Sequence, residues 1–180
     1  WSHMGLFGAI RDSEITDLTV SPGHVITAGE TAGILAGSVQ DSVIRNVAVA
    51  GALKTAGNTG GIAGEIADTV VENCTADHVA MDLGKGKETF AGGIAGKAAG
   101  SVISDCTVNT GDSLNARIQG GGYVGGITGF QNDTDIFNVH VMGTIGGSGS
   151  QAIGGVTGKY ASGKMKVARF EGKIASSGLG

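Results

Sequence analysis

Residues 60–76 read "GGIAGEIADTVVENCTA", and residues 92–108 read "GGIAGKAAGSVISDCTV". The two stretches share their glycines, an isoleucine and a cysteine. A chain that writes one phrase twice either uses one site twice or lays the same brick twice. The rest of the sequence decides between these.

Taking the last glycine of the phrase as an anchor, six copies appear: "GLFG" ending at Gly8, "GILAG" at Gly37, "GGIAG" at Gly64 and Gly96, "GGITG" at Gly129 and "GGVTG" at Gly158. The anchors are 29, 27, 32, 33 and 29 residues apart, a period that belongs to solenoids. Two positions before the anchor stand Leu6, Leu35, Ile62, Ile94, Ile127 and Val156; seven after stand Ile15, Ile44, Val71, Ile103, Ile136 and Met165. Nine after stand Asp17, Asn46, Asn73, Asp105, Asn138 and Val167. A Ser/Thr column lies five after: Ser13, Ser42, Thr69, Ser101, Thr134, broken by Gly163. The length changes fall after this block.

Columns of like residues are what stacked strands require. One coil buries too little apolar surface to fold alone, whereas coils stacked ~4.8 Å apart share a continuous core. Positions seven, ten and twelve are apolar while eight and eleven are mixed or polar, a strand alternation with one break in parity. The Asn/Asp column sits at that break, and these residues tolerate turn dihedrals and bond neighbouring backbone. The expected core columns are therefore Leu6, Leu35, Ile62, Ile94, Ile127, Val156 and Ile15, Ile44, Val71, Ile103, Ile136. The expected bend ladder is Asp17, Asn46, Asn73, Asp105, Asn138.

The fold class expected is all-β: a single β-solenoid of about six coils, preferably a right-handed parallel β-helix. A Gly-rich β-roll with some antiparallel strands is the alternative, since the unequal inserts could form hairpins. Residues 1–4, "WSHM", read as the remnant of a cleaved expression tag, which leaves 5–180 as the solenoid domain of a larger protein.

Composition agrees. Glycine supplies 35 of 180 residues, proline one and aromatics 4%. Periodic glycines beside β-branched residues argue for order. The net charge of −4 is too mild to point to nucleic acid. The apolar runs are too short for a membrane-spanning helix. The charge is uneven: residues 159–180 carry Lys159, Lys164, Lys166, Arg169 and Lys173 against Glu171.

The anchors, "GLFG" at 5–8 and the "GGIAG" copies, followed by Ile at seven and "[DN]-[LVC]-x-[VA]", resemble the GLUG motif. That repeat occurs in large bacterial surface and secreted proteins, including adhesins and the non-catalytic region of IgA1-specific zinc peptidases of streptococci. Only Phe7 keeps the motif's aromatic; Ala36, Ala63, Ala95, Thr128 and Thr157 replace it. The resemblance implies an extracellular or cell-wall β-solenoid serving as stalk, spacer or adhesive surface. A host glycoprotein or extracellular matrix is the partner such a surface would meet. Inserts 77–90 and 109–122 are candidates for presenting it. A substrate-recognition region of a secreted peptidase or carbohydrate-active enzyme is the alternative.

Several residues invite a chemical reading, and each has a plainer one. Cys74 and Cys106 share a column in adjacent copies; parallel stacking disfavours the disulfide dihedral, so two buried thiols are expected over a bridge. His24, His78 and His140 stand in different columns, without a zinc-peptidase motif. "QNDTD", with Gln131, Asn132, Asp133 and Asp135, offers calcium oxygens but lacks the known loop patterns. Asp77, Asp82 and His78 with Lys85 and Lys87 form the best acidic cluster for glycoside chemistry. The Thr19, Ala48, Thr75, Thr107, His140, Arg169 column is half an ice-binding ladder. The basic C-terminal residues suit a solvated face or an acidic glycan. "GGSGSQAIGG" and "GKGK" lack the strand–loop–helix context of a phosphate cradle. No catalytic residue, cofactor or metal ligand is assigned, and a non-enzymatic role is expected.

Overall fold

The computed structural model describes residues 2–83, 86, 88–111, 117–147 and 150–176, the side chains of Arg117 and Ser176 excepted. Among them there is no helix, and every strand pairing is parallel. The chain is a β-solenoid of about six coils. The antiparallel alternative is not what the described strands form, because each insert returns to the same register before the next coil begins.

Three sheets run along the axis. The first stacks His3–Met4, Thr31–Gly33, Asn58–Gly60, Phe90–Gly92, Tyr123–Gly125 and Ala152–Gly154. The second stacks Phe7–Arg11, Ala36–Gln40, Ala63–Ala67, Ala95–Ala99, Thr128–Asn132 and Thr157–Tyr160. The third, with twelve strands, runs from Glu14–Val20 in the first coil to Met165–Ser176 in the last. His3–Met4, outside the 5–180 span, pairs with Thr31 and Ala32.

Between the first two sheets each coil turns through the glycine phrase. A Cβ on the anchor Gly96 would lie 2.5 Å from the Thr59 nitrogen and 2.6 Å from the Phe90 oxygen, backbone atoms that cannot give way. The anchor is glycine because two coils meet there with no room for a side chain. Within the turn the aliphatic residue points inward: Leu35, Ile62, Ile94 and Ile127 are fully buried. Their amides bond coil to coil, Ile62 to the Ile94 carbonyl and Ile94 to the Ile127 carbonyl, both at 3.0 Å. The column seven after the anchor is in register from Ile15 through Ile44, Val71, Ile103 and Ile136 to Met165.

Three expected core positions depart from the column. Leu6 is exposed at 56%, and Val156 and Ile15 are only partly buried. All three belong to the first or last coil, where a neighbour packs on one side only.

The parity break is a left-handed bend. Asp17, Asn46, Asn73, Asp105 and Asn138 have φ between 49° and 57°, a region that Asn and Asp tolerate better than most residues. The bend turns Ile44 and Val47 both inward with Asn46 outside. The amides form a ladder, Asn73 to Asn46 at 2.7 Å and Asn46 to Asp17 at 2.9 Å. A second left-handed column, four after the anchor, carries Asp12, Asp41, Asp68, Gly100 and Asp133. The hydroxyl column follows it. Ser42 Oγ donates to the Gln40 carbonyl across this bend and accepts the Ser13 amide from the preceding coil. The hydroxyls thus serve as corner braces.

Candidate interaction surface

The residue after each anchor points outward from the second sheet. In register these are Ala9, Ser38, Glu65, Lys97, Phe130 and Lys159. On the first sheet the facing column runs Thr31, Asn58, Phe90, Tyr123 and Ala152. The two columns touch across the turn: the Asn58 amide donates to Glu65 Oε1 at 2.6 Å, and Phe90 meets Phe130 at 5.3 Å between ring centroids. Together they line a strip parallel to the axis.

Its chemistry is graded. At one end a shallow groove of about 510 Å³ is lined by Glu30, Asn58, Glu65, Glu88 and Thr89, among others. Farther along, Phe90 stacks on Tyr123 at 5.5 Å. Lys159 Nζ lies 5.0 Å from the Tyr123 ring centroid and 5.6 Å from that of Phe130, a cation over two π faces. Among the described residues, neither Lys97 nor Lys159 has a carboxylate within ion-pair distance. Such a strip suits recognition: polar groups, aromatic area and unneutralised cations follow one another along one side of the solenoid.

The sequence marks Lys159, as one of the basic C-terminal residues, but not the aromatic cluster. Phe90 and Tyr123 stand six residues before their anchors, ahead of the block whose columns were followed. The same offset in both copies is the signal that marks them.

The other candidates are placed as follows. Cys74 and Cys106 are unbonded and buried. Their thiols donate to the carbonyls of Glu72 and Ser104, two residues back in each case. The neighbouring thiol of the pair pulls Cys74 down and pushes Cys106 well up, and burial pushes both up. The "QNDTD" oxygens do not converge. Gln131 is buried, donating to the Thr134 carbonyl at 3.1 Å and accepting from Thr157 at 2.7 Å. Asp133 forms the bend, while Asn132 and Asp135 accept from Ser162 Oγ and the Lys164 amide in the next coil. Among the described residues, no group of three His, Cys, Asp or Glu could hold a metal ion.

His78 is 2.9 Å from Asp77 as an exposed pair. Asp82 faces solvent at the level of Lys54 and Gln119, and Lys85 and Lys87 lie outside the described residues. The Thr19 to Arg169 column is in register through all six coils. The basic residues separate: Lys159 joins the aromatic strip, while Lys166, Arg169 and Lys173 lie on the third sheet with Lys164 just before it, Arg169 pairing with Glu171 at 2.5 Å.

Among the described residues, no helix is long and apolar enough to cross a membrane. No protein-family model matches the sequence, and no curated protein is detectably similar to it.

Proposed function

We propose that this chain is a non-catalytic structural and adhesive module of a bacterial cell-surface or secreted protein, a rod that carries a binding strip on its side. The observation that supports this reading best is the division between what the coils share and what they vary. Shared positions bury, bend or admit close approach: the anchor glycine, the inward aliphatics, the Asn/Asp corner. The outward position one after the anchor changes chemistry at every coil, from Ala9 to Ser38, Glu65, Lys97, Phe130 and Lys159. A scaffold that holds its frame constant while varying one lateral column is built to present that column. The GLUG-like phrase is consistent with this role and adds the surface or secreted setting.

The test is binding of the isolated chain to immobilised host glycoproteins, extracellular-matrix proteins and a glycan array. Saturable binding that Tyr123→Ala and Lys159→Ala weaken, with unchanged unfolding midpoints, is the expected result. If no ligand in any class is retained, the adhesive part fails and a pure spacer remains.

A second reading is a substrate-recognition region of a secreted peptidase or carbohydrate-active enzyme. The aromatic and cationic side chains gathered on one strip favour it. Here the bound ligand would also be the substrate of a catalytic domain in the same protein, and its turnover would fall when Tyr123 is replaced.

A further inference from the structure

Phe90 and Tyr123 occupy one column of the first sheet in adjacent coils, and their rings stack with planes 20° and centroids 5.5 Å apart. Rings in that relation turn their faces to each other along the axis and leave their edges along the strip. The edge is the positive rim of the ring quadrupole. Lys159 lies over the Tyr123 ring, where the next residue of the column is only Ala152. Aromatic edge and ammonium both favour an anion.

The cations have a spacing. Lys97, Phe130 and Lys159 follow one another in register on the second sheet. The two lysines thus flank an aromatic residue, about 9.6 Å apart along the axis. Lys97 stands in an inner coil with strands paired on both sides, so its place on the surface owes nothing to either end of the chain. Among the described residues neither lysine has an ion-pair partner. On the other side of Lys97 the strip turns acidic. Glu65 precedes it in the column and accepts from Asn58, and Glu30 and Glu88 line the groove beyond. A long polyanion is repelled there, so the cationic window is short.

We infer that this window binds a short stretch of acidic polysaccharide, laid along the axis with a uronate carboxylate at Lys97, a second at Lys159 and the intervening sugar against Phe130. This rests on the reading of the strip as a binding surface and names its ligand. An extended sugar chain that turns each ring over relative to the last repeats one face every second sugar, a repeat close to the spacing of the two lysines. An extended peptide repeats one face at about 6.7 Å and fits that spacing less well. Nor can a peptide add as a strand here, because Phe90–Gly92 and Ala95–Ala99 are already paired on both sides.

Calorimetric titration with an alternating N-acetylhexosamine–uronate tetrasaccharide tests it, beside the carboxyl-reduced tetrasaccharide, a long polymer of the same repeat and a polyglutamate peptide. The acidic tetrasaccharide should bind saturably and more weakly in added salt, and the reduced one should not bind. Lys97→Gln and Lys159→Gln should each weaken binding about fivefold, the upper value for one exposed ion pair. Unfolding midpoints equal to the parent's confirm that both variants fold. Affinity per site should not rise with the polymer, since the glutamates bound the window. Equal binding of the reduced sugar, equally tight polyglutamate, affinity per site that grows with length, or indifference to both lysine variants overturns the proposal. If no acidic sugar binds but a host protein or neutral glycan does, and Tyr123→Ala weakens that binding, this inference fails while the adhesive reading stands. If nothing binds, both fail.

Discussion

Asn138 donates its side-chain amide to Asp105 in the preceding coil at 2.6 Å, and the Asp105 carboxylate has no proton to hand on to Asn73. The ladder is thus two runs, Asn138 to Asp105 and Asn73 to Asn46 to Asp17, separated by two facing acceptors. Asp105→Asn supplies the missing donor and keeps the tolerance for a left-handed corner. It should raise stability by about 0.5–1.5 kcal/mol, the net value of one hydrogen bond. Asp105→Ala should lose about 1–2 kcal/mol, since alanine resists that conformation and offers no acceptor. Denaturant midpoints at constant m-value are the measurement, and an Asn variant no more stable than the parent would refute the gap in the ladder.

Val167 occupies the same corner in the last coil, at φ 56° and 66% exposed. A β-branched residue is strained there, and no buried contact at an exposed site offsets the strain. Val167→Asn should relieve about 1–2 kcal/mol and place a new amide within the column of Asn138. The last coil can open without the rest, so the readout is amide exchange across Met165–Ser176. Exchange there should slow about 5–30-fold, while Val167→Ile leaves it unchanged.

The repeat made the corner and the core legible because both depend on one residue type recurring at one offset. Ile94 and Asn73 need no knowledge of the inserts. Leu6 was misplaced because a column carries no mark of where stacking ends; burial at its edges depends on a neighbour the pattern cannot supply. The second bend column was hidden by Gly100, which interrupts Asp12, Asp41, Asp68 and Asp133 and reads as one more glycine in a glycine-rich chain. The strip at Phe90, Tyr123 and Phe130 was not legible as a unit. It joins residues on opposite sides of the turn, and only the angle of that turn brings them together.

Ile94 and His78 separate brick from ornament. Ile94 is fully buried between Ile62 and Ile127, so Ile94→Asp places a carboxylate in a dry core and should unfold the chain. His78 is exposed and pairs only with Asp77 at 2.9 Å, but its φ of 51° adds a backbone effect. His78→Ala should therefore cost about 1 kcal/mol through conformation alone, and His78→Gly should recover most of it. Circular dichroism and denaturant titration give the ranking. Equal losses for Ala and Gly would mean that the side chain, not the corner, matters.

Two glycines four positions apart should respond oppositely. Gly96→Ala brings a methyl against the Thr59 nitrogen, the Phe90 oxygen and the Gly64 oxygen, all backbone within 2.7 Å. It should push two coils apart and destabilise by at least 3 kcal/mol, in the range of severe packing strain. At Gly100, φ is 57° and the first atom a Cβ meets is the end of the Asp68 side chain, which can swing away. Gly100→Asn should be tolerated to within about 0.5 kcal/mol, because its column already uses polar left-handed residues. Expression, solubility and unfolding midpoints of the two variants distinguish them.

The raised thiol of Cys106 gives the rod an alkaline limit, while the lowered thiol of Cys74 acts in the opposite sense. The neighbouring Cys74 thiol and burial hold the Cys106 proton well above its ordinary range. Unfolded thiols titrate near pH 8.5, so the unfolded chain releases this proton first as pH rises. A folded value above the unfolded one contributes stability that is complete below about pH 8.5 and is lost as pH climbs towards the folded value. Valine already occupies this column at Val47 and Val139, so Cys106→Val should hold neutral-pH stability to within about 1.5 kcal/mol. It should also flatten the decline between about pH 8.5 and 9.5, before lysine and tyrosine titrate. The same burial should make both native thiols react with a thiol reagent only at the rate of local opening. Parallel pH profiles for the parent chain and the valine variant, or immediate labelling of the native chain, would remove the thiol pair as the source of the limit.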